Sequence, residues 1–347
     1  MKKKSTSQTP RTLIKNAILL AITALALSAS PRIRADAALC GCLRYWCNSG
    51  AGDWFVASNW CPNQDYLPSC GGPICPEDGG TTEADINNGG TAKITTTAQI
   101  AHACEVFLGK NSGDSGHLTV DTGTLDQCNA MWVGWDGKGT LTITSGGSVS
   151  TYGAAGIAAH ASSSNGSATV DGTNSTWTVN GATLNVGGSI NGAAGTGLLT
   201  VTNGGAVSTG DKVYVWKSGT LAGNSTVTTT NGTDIDGTLS PNWTLTVSGD
   251  LTFDNVASTM QCNVIPGNMG NDAEVTGTAN LNGKLLVTMT GNFTPGTTYT
   301  LLHCEGLRNG TFSSVSINYP CECFTPVIQY DDHNVKLYLA PAACCTQ

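Results

Sequence analysis

Between Val106 and Trp216 the apolar positions recur in one short phrase. An apolar-x-apolar triplet is followed by a turn, then Leu-Thr-Val or its like, then Gly-Gly, then another apolar pair. Val106-Phe107-Leu108-Gly109 leads to Leu118-Thr119-Val120, and Met131-Trp132-Val133-Gly134 leads to Leu141-Thr142-Ile143, Gly146-Gly147 and Val149. A degenerate copy runs from Gly156-Ile157-Ala158 through Ala168-Thr169-Val170 to Trp177. A clean copy follows at Leu184-Asn185-Val186-Gly187, Leu199-Thr200-Val201, Gly204-Gly205 and Val207, and the last opens at Val213-Tyr214-Val215. The steps between Leu118, Leu141, Ala168 and Leu199 are 23, 27 and 31 residues.

A period in the twenties built from short alternating strands predicts a solenoid. The outer two residues of each triplet are apolar and the middle one is often Thr, so one face points inward and the other outward. Gly, Asn, Ser and Asp occupy the corners, where positive φ is often needed. The expected fold is all-β: a parallel β-helix (β-solenoid) of about five coils over residues 101–248, spanning roughly 24 Å at ~4.8 Å per coil. An antiparallel sandwich with regular strand spacing is the competing arrangement.

The phrase Gly-x-Leu-Thr-Val-x-x-Gly-Gly-x-Val, followed by an apolar triplet and Gly, resembles the β-strand repeats of bacterial exported proteins. Such repeats occur in type V secretion (autotransporter) passengers and in PEP-CTERM-associated repeat proteins. The resemblance spans roughly Trp46 to Leu339. It implies an exported, often surface-bound, adhesin-like protein. The run Trp46-Cys47-Asn48-Ser49-Gly50-Ala51-Gly52-Asp53-Trp54, continuing to Asn59-Trp60, looks like the opening that precedes these repeats. Val275-Thr276-Gly277-Thr278-Ala279, Gly310-Thr311-Phe312 and Val335-Lys336-Leu337 look like the C-terminal end of autotransporter passengers.

The flanks divide the rest. Residues 38–100 are rich in Cys and Trp and read as an N-terminal cap, with Trp46, Trp54, Phe55 and Trp60 as an apolar plug. A solenoid exposes unpaired backbone at its ends, which must be covered. The sharper alternative for Trp54 and Trp60 is a glycan contact, because flat rings stack on a pyranose face. Residues 249–340 have longer strands and read as a C-terminal β cap domain, with 341–347 a tail. Residues 1–37 are a signal peptide: Lys2-Lys3-Lys4, Arg11 and Lys15 are the basic start, Ala17 to Ala29 the apolar stretch and Ala35-Asp36-Ala37 the cleavage site. No later segment is apolar enough to span a membrane, and neither a translocating barrel nor a sorting tail follows, so the signal peptide is expected to carry export.

Charged residues make up only 12% of the 347-residue chain, against a usual ~25%, and the net charge is −8. That excludes long charged helices and disfavours nucleic acid as a partner. The fourteen Cys suit an oxidising exterior. Cys40, Cys42, Cys47, Cys61, Cys70 and Cys75 cluster first, Cys104 and Cys128 lie one coil apart, and Cys262, Cys304, Cys321, Cys323, Cys344 and Cys345 come last. Cys104 and Cys128 are disulfide candidates, since stacked coils bring equivalent positions to about 4.8 Å. Disulfides are preferred over zinc for the larger clusters because no His lies at ligand spacing in the first.

Chemistry has few candidates. Asp121 and Asp171 share a register, but Thr144 intervenes, which sets them about 10 Å apart; turn formation explains both. Asp114 and Asp136, in neighbouring loops, and Asp234-Ile235-Asp236-Gly237 offer too few oxygens for Ca²⁺. None of the five His forms a metal or catalytic motif. No catalytic residue, metal or cofactor is implied. The expected protein is a secreted or cell-surface structural, adhesin-like rod without catalytic activity, contacting glycans, other surface proteins or its own kind. A polysaccharide-binding module or a β-helix polysaccharide lyase or hydrolase is the alternative.

Overall fold

The computed structural model describes residues 42–61, 82–267, 270, 272–319 and 323–343. They form a parallel β-solenoid with three faces, each an 11-stranded sheet. The first face runs from Cys42–Tyr45 and Thr82–Ile86 through Met131–Val133 and Val213–Val215 to Arg308–Gly310. The second runs from Ala51–Asp53 and Asn88–Ile94 through Lys138–Thr144 to Ser314–Asn318. The third starts at Ile100–Ala103 and continues parallel to Thr298–Cys304, where Asn334–Pro341 and then Phe324–Tyr330 add antiparallel.

Alternation builds the interior. On the second face Ala92, Leu118, Leu141, Ala168, Leu199, Leu221, Leu239, Met260 and Leu285 pair in one inward column, and all are buried. Lys93, Thr119, Thr142, Thr169 and Thr200 form the outward column beside it. The copy that looked degenerate keeps its filling: where the second face narrows to Ala168, the third carries the fully buried Trp177, so interior volume is redistributed between faces. The Trp177 indole donates to Thr151 Oγ1 at 3.2 Å, which donates to Gln127 Oε1 at 2.8 Å, so polar groups drawn inside are satisfied in a chain.

The solenoid is longer than the five coils expected. Strands within both expected caps stack in register with the repeats, giving among the described residues eleven parallel levels on the first two faces and nine on the third, about 48 Å of stack over ten steps of ~4.8 Å. Residues 249–340 continue the coil as far as Ser314–Asn318 and turn antiparallel only beyond it. Corner length hides this. The coil shrinks to 18 residues from Leu221 to Leu239 and grows to 31 from Ala168 to Leu199 and to 40 from Ala51 to Thr91, while pairing stays in step. Backbone pairing constrains the strands; solvent-facing corners are free to vary.

Tryptophans fill the first coil. Trp46, Trp54 and Trp60 are buried and meet edge to face, at 5.0 Å between Trp46 and Trp60 and 4.9 Å between Trp54 and Trp60. The Trp60 indole donates to the Trp54 carbonyl at 2.8 Å, and a Cys47–Cys61 disulfide clips the segment.

One corner column shows how local conformation is enforced. Gly109, Gly134, Ala158 and Gly187 each follow a first-face strand with φ of 68°, 76°, 55° and 79°, and each donates its N–H to the coil before. Ala158 holds the left-handed conformation against a penalty of roughly 1–2 kcal/mol. A Cβ on Gly134 would add a contact of 2.4 Å to the Asn165 carbonyl. Gly134→Ala is therefore expected to destabilise by about 2 kcal/mol or more, whereas Ala158→Gly is expected to be near neutral or stabilising; urea unfolding of both variants checks the contrast.

Candidate functional site

Most first-face strands of three residues bury their outer two and turn the middle one outward, as at Met131, Trp132 and Val133, while Ala155–Ile157 and Leu184–Val186 are buried throughout. In-register pairing aligns the middle residues into one external ladder. It begins Tyr45, Asp85, Phe107, Trp132 and Gly156, and continues Asn185, Tyr214, Asp234, Thr252, Asn280 and Asn309. The following corner adds Trp135, His160 and Trp216 alongside.

The aromatic members form two groups. Trp132 and Trp135 meet at 4.5 Å, Phe107 packs edge-on to Trp135 at 5.9 Å, and Trp135 stacks on His160 at 4.8 Å with rings 3° from parallel. Tyr214 and Trp216 meet at 4.2 Å, and the Trp216 indole donates to Asn185 Oδ1 at 3.0 Å. Phe107 is buried beneath its neighbours, while Trp132, Trp135, Tyr214 and Trp216 are half-buried and His160 is exposed. Glycines seat the indoles. A Cβ at Gly156 would lie 2.9 Å from Trp132 Cζ3, and one at Gly188 would lie 2.6 Å from Trp216 Cδ1. Between the coils of His160 and Trp216 the corner extends into a small hairpin, Gly188–Ser189 with Gly192–Ala193, and Ile190 at its tip is 91% exposed. An insertion confined to one coil and one corner is where repeat proteins commonly build binding features.

Carboxylates flank the aromatic section. Before it, Glu83 and Glu105 sit in register one coil apart, and Lys110 Nζ pairs with Glu83 and, at 3.3 Å, with Asp85 while lying 4.4 Å over the Phe107 ring. Burial pushes the Asp85 carboxyl up against the pull of Lys110, and burial together with Glu83 raises Glu105. After it, Lys212 pairs with Asp234. Burial and Asp254 push the Tyr214 hydroxyl up to about 12, and burial and Asp234 raise Asp254. In the middle, His160 Nδ1 lies 2.6 Å from Asp136 Oδ1. Among the described residues no group of three His, Cys, Asp or Glu side chains could hold a metal ion.

The residues singled out in the sequence fall elsewhere. Trp54 and Trp60 are 0% and 1% exposed and cannot stack on a sugar, which rules out the glycan contact weighed as the alternative for them. Cys104 and Cys128 do stack one coil apart, with Ala103 paired to Gln127. Their bridge does not form, because the Cys104 sulfur is committed to a different disulfide. Cys323 is also disulfide-bonded. Cys262 and Cys304, expected in disulfides, are buried thiols on different faces; Cys304 Sγ donates to the His333 carbonyl at 3.4 Å. Cys40, Cys70, Cys75, Cys321 and the signal peptide lie outside the described residues, as does the side chain of Cys42. Thr144 does separate Asp121 from Asp171, and Asp171 Oδ1 accepts from Thr202 Oγ1 at 2.8 Å and Asn203 Nδ2 at 2.7 Å, a turn role. Asp114 accepts from Asn111 in its own loop.

The aromatic ladder was not among the expected sites, although its signal is present. Phe107, Trp132 and Tyr214 occupy the middle, outward position of their triplets, where Thr is the usual residue. No family model, curated protein or solved structure matches the chain.

One expected outcome checks the plug and another the buried Asp272. Trp54→Ala or Trp60→Ala should lower stability by about 3–5 kcal/mol, the range for a buried aromatic, as read by thermal unfolding. Asp272, buried beside the Cys262 thiol, has its carboxyl raised from 3.8 to about 7, mainly by burial. The folded chain thus holds a proton that the unfolded chain releases between those values. This increment of stability is complete below about pH 4 and is lost as pH rises through 7. Asp272→Asn should flatten the fall in melting temperature between pH 5 and 8.

Proposed function

We propose that the protein is a secreted or cell-surface β-solenoid rod that contacts polysaccharides through the aromatic ladder of its first face and performs no bond-breaking chemistry. The observation that carries this reading is the fixed register of half-exposed rings: Trp132 and Trp135 in one group, Tyr214 and Trp216 in another, three coil steps or about 14 Å apart along the rod. Aromatic rings are rigid contact surfaces with a polar handle, so they bind with little loss of conformational freedom. A sugar chain laid along the rod would meet both groups at once, and simultaneous weak contacts multiply into useful avidity.

Export is supported by the basic-then-apolar N-terminus, Lys2 to Ala29, and by the Cys47–Cys61 disulfide. The likeness of the repeats to those of autotransporter passengers and PEP-CTERM-associated proteins points the same way. The non-catalytic part rests on the roles found for the candidate carboxylates: Asp171 holds a turn, and Asp121 lies two coils from it.

The test incubates the protein with a panel of insoluble and soluble polysaccharides, measuring retained protein and released reducing ends or unsaturated products together. Retention without release is expected. Trp132→Ala with Trp135→Ala should weaken retention roughly tenfold or more, the effect of losing about 1.4 kcal/mol or more of contact, with the melting temperature little changed. Product release would overturn the non-catalytic reading.

A further inference from the structure

We infer that the ladder takes a polysaccharide bearing free amino groups, a polymer of unacetylated amino sugars, in preference to neutral or acidic chains. This rests on the reading of the ladder as a glycan-binding face. Charge complementarity follows the path that the rings define. At one end stand Glu83 and Glu105, and at the other Asp234, Asp236 and Asp254, with Asp136 beside Trp135 between them.

The cations do not balance this set. Lys110 is already held by Glu83 and Asp85, and Lys212 by Asp234. Lys138 and Lys217 are the other cations of the same corner, and both point into solvent as exposed residues. The carboxylates also act on one another. Burial first, and then Glu83, raises Glu105; burial first, and then Asp234 and Asp236, raises Asp254, so neighbouring carboxylates add to the effect of burial at both ends. A ligand ammonium placed at either group would relieve that repulsion. A uronate or sulfate would add to it, and a neutral sugar would gain ring contact alone. The two acidic groups bracket the rings along the rod axis, so a chain lying along the ladder meets rings in the middle and carboxylates at both ends. The whole chain, at −8, adds a longer-range bias in the same direction.

The experiment uses the full chain, secreted in an oxidising host, and measures affinity for chitosan, the same polymer after re-acetylation, cellulose and alginate. Chitosan should bind at least tenfold tighter than its re-acetylated form at low salt. The difference should shrink as the Debye length falls to about 3 Å near 1 M salt, and alginate should not bind. Asp236→Asn with Asp254→Asn should erase most of the chitosan preference and leave cellulose binding unchanged. Asp121→Asn with Glu305→Gln removes the same charge away from the ladder and should leave the preference intact. Equal affinity for chitosan and its re-acetylated form, tighter binding of alginate, or equal loss from both double variants would overturn the inference while leaving glycan binding standing. Retention of none of the polymers, or retention indifferent to Trp132→Ala with Trp135→Ala, would instead overturn the reading on which it rests.

Discussion

Everything in this structure depends on coil-to-coil pairing of parallel strands in constant register. Each strand satisfies its backbone against the coil before and the coil after, at a spacing of about 4.8 Å. One consequence is geometric. A residue at a given place in one coil must lie over the residue at that place in the next, so Leu118, Leu141, Ala168 and Leu199 become a column rather than four separate contacts. Inward columns merge into a single core, and outward columns become rows of like side chains on a flat face. The threonine row at 119, 142, 169 and 200 and the ring-bearing row at 107, 132 and 214 follow from the same rule.

The same constraint leaves the corners loose. Their lengths change from coil to coil without disturbing the pairing, and the hairpin carrying Ile190 is accommodated as one such extension. Where the corner must turn sharply, conformation rather than side-chain identity is preserved. Gly109, Gly134 and Gly187 adopt positive φ freely, and Ala158 adopts it against its preference because its N–H is held by Val133. Filling is preserved in a similar way. The coil with Ala168 balances it with Trp177, so an irregular repeat still makes a regular coil.

A stack of this kind has two ends, and they are treated differently. The first coils enclose Trp46 and Trp54, both packed against Trp60, with the Cys47–Cys61 disulfide closing the segment. At the other end the third face alone is prolonged by antiparallel strands, Asn334–Pro341 and Phe324–Tyr330. The inward position of the last second-face strand, Val315, is consequently 42% exposed, although Leu285 above it in the same column is buried.

The parallel solenoid was legible in the chain itself, because a recurring apolar triplet with glycine corners admits few other ways to bury its apolar residues. The tryptophan plug was legible too, from its place before the repeats. The number of coils was not. It depends on pairing between strands whose separation along the chain varies from 18 to 40 residues, and no fixed period marks that. The cysteine partners were equally out of reach, since neighbours in the stack, such as Cys104 and Cys128, need not bond when one sulfur is taken elsewhere. The aromatic ladder lies between these cases. Each ring stands at an outward position that alternation alone assigns, yet only the register across coils brings Trp132, Trp135 and His160 together and sets Tyr214 and Trp216 on the same line. Alternation is a local property of a strand, whereas adjacency on a face is made by hydrogen bonds between residues 20 to 30 apart in the chain, and that is why the site is visible only in the folded protein.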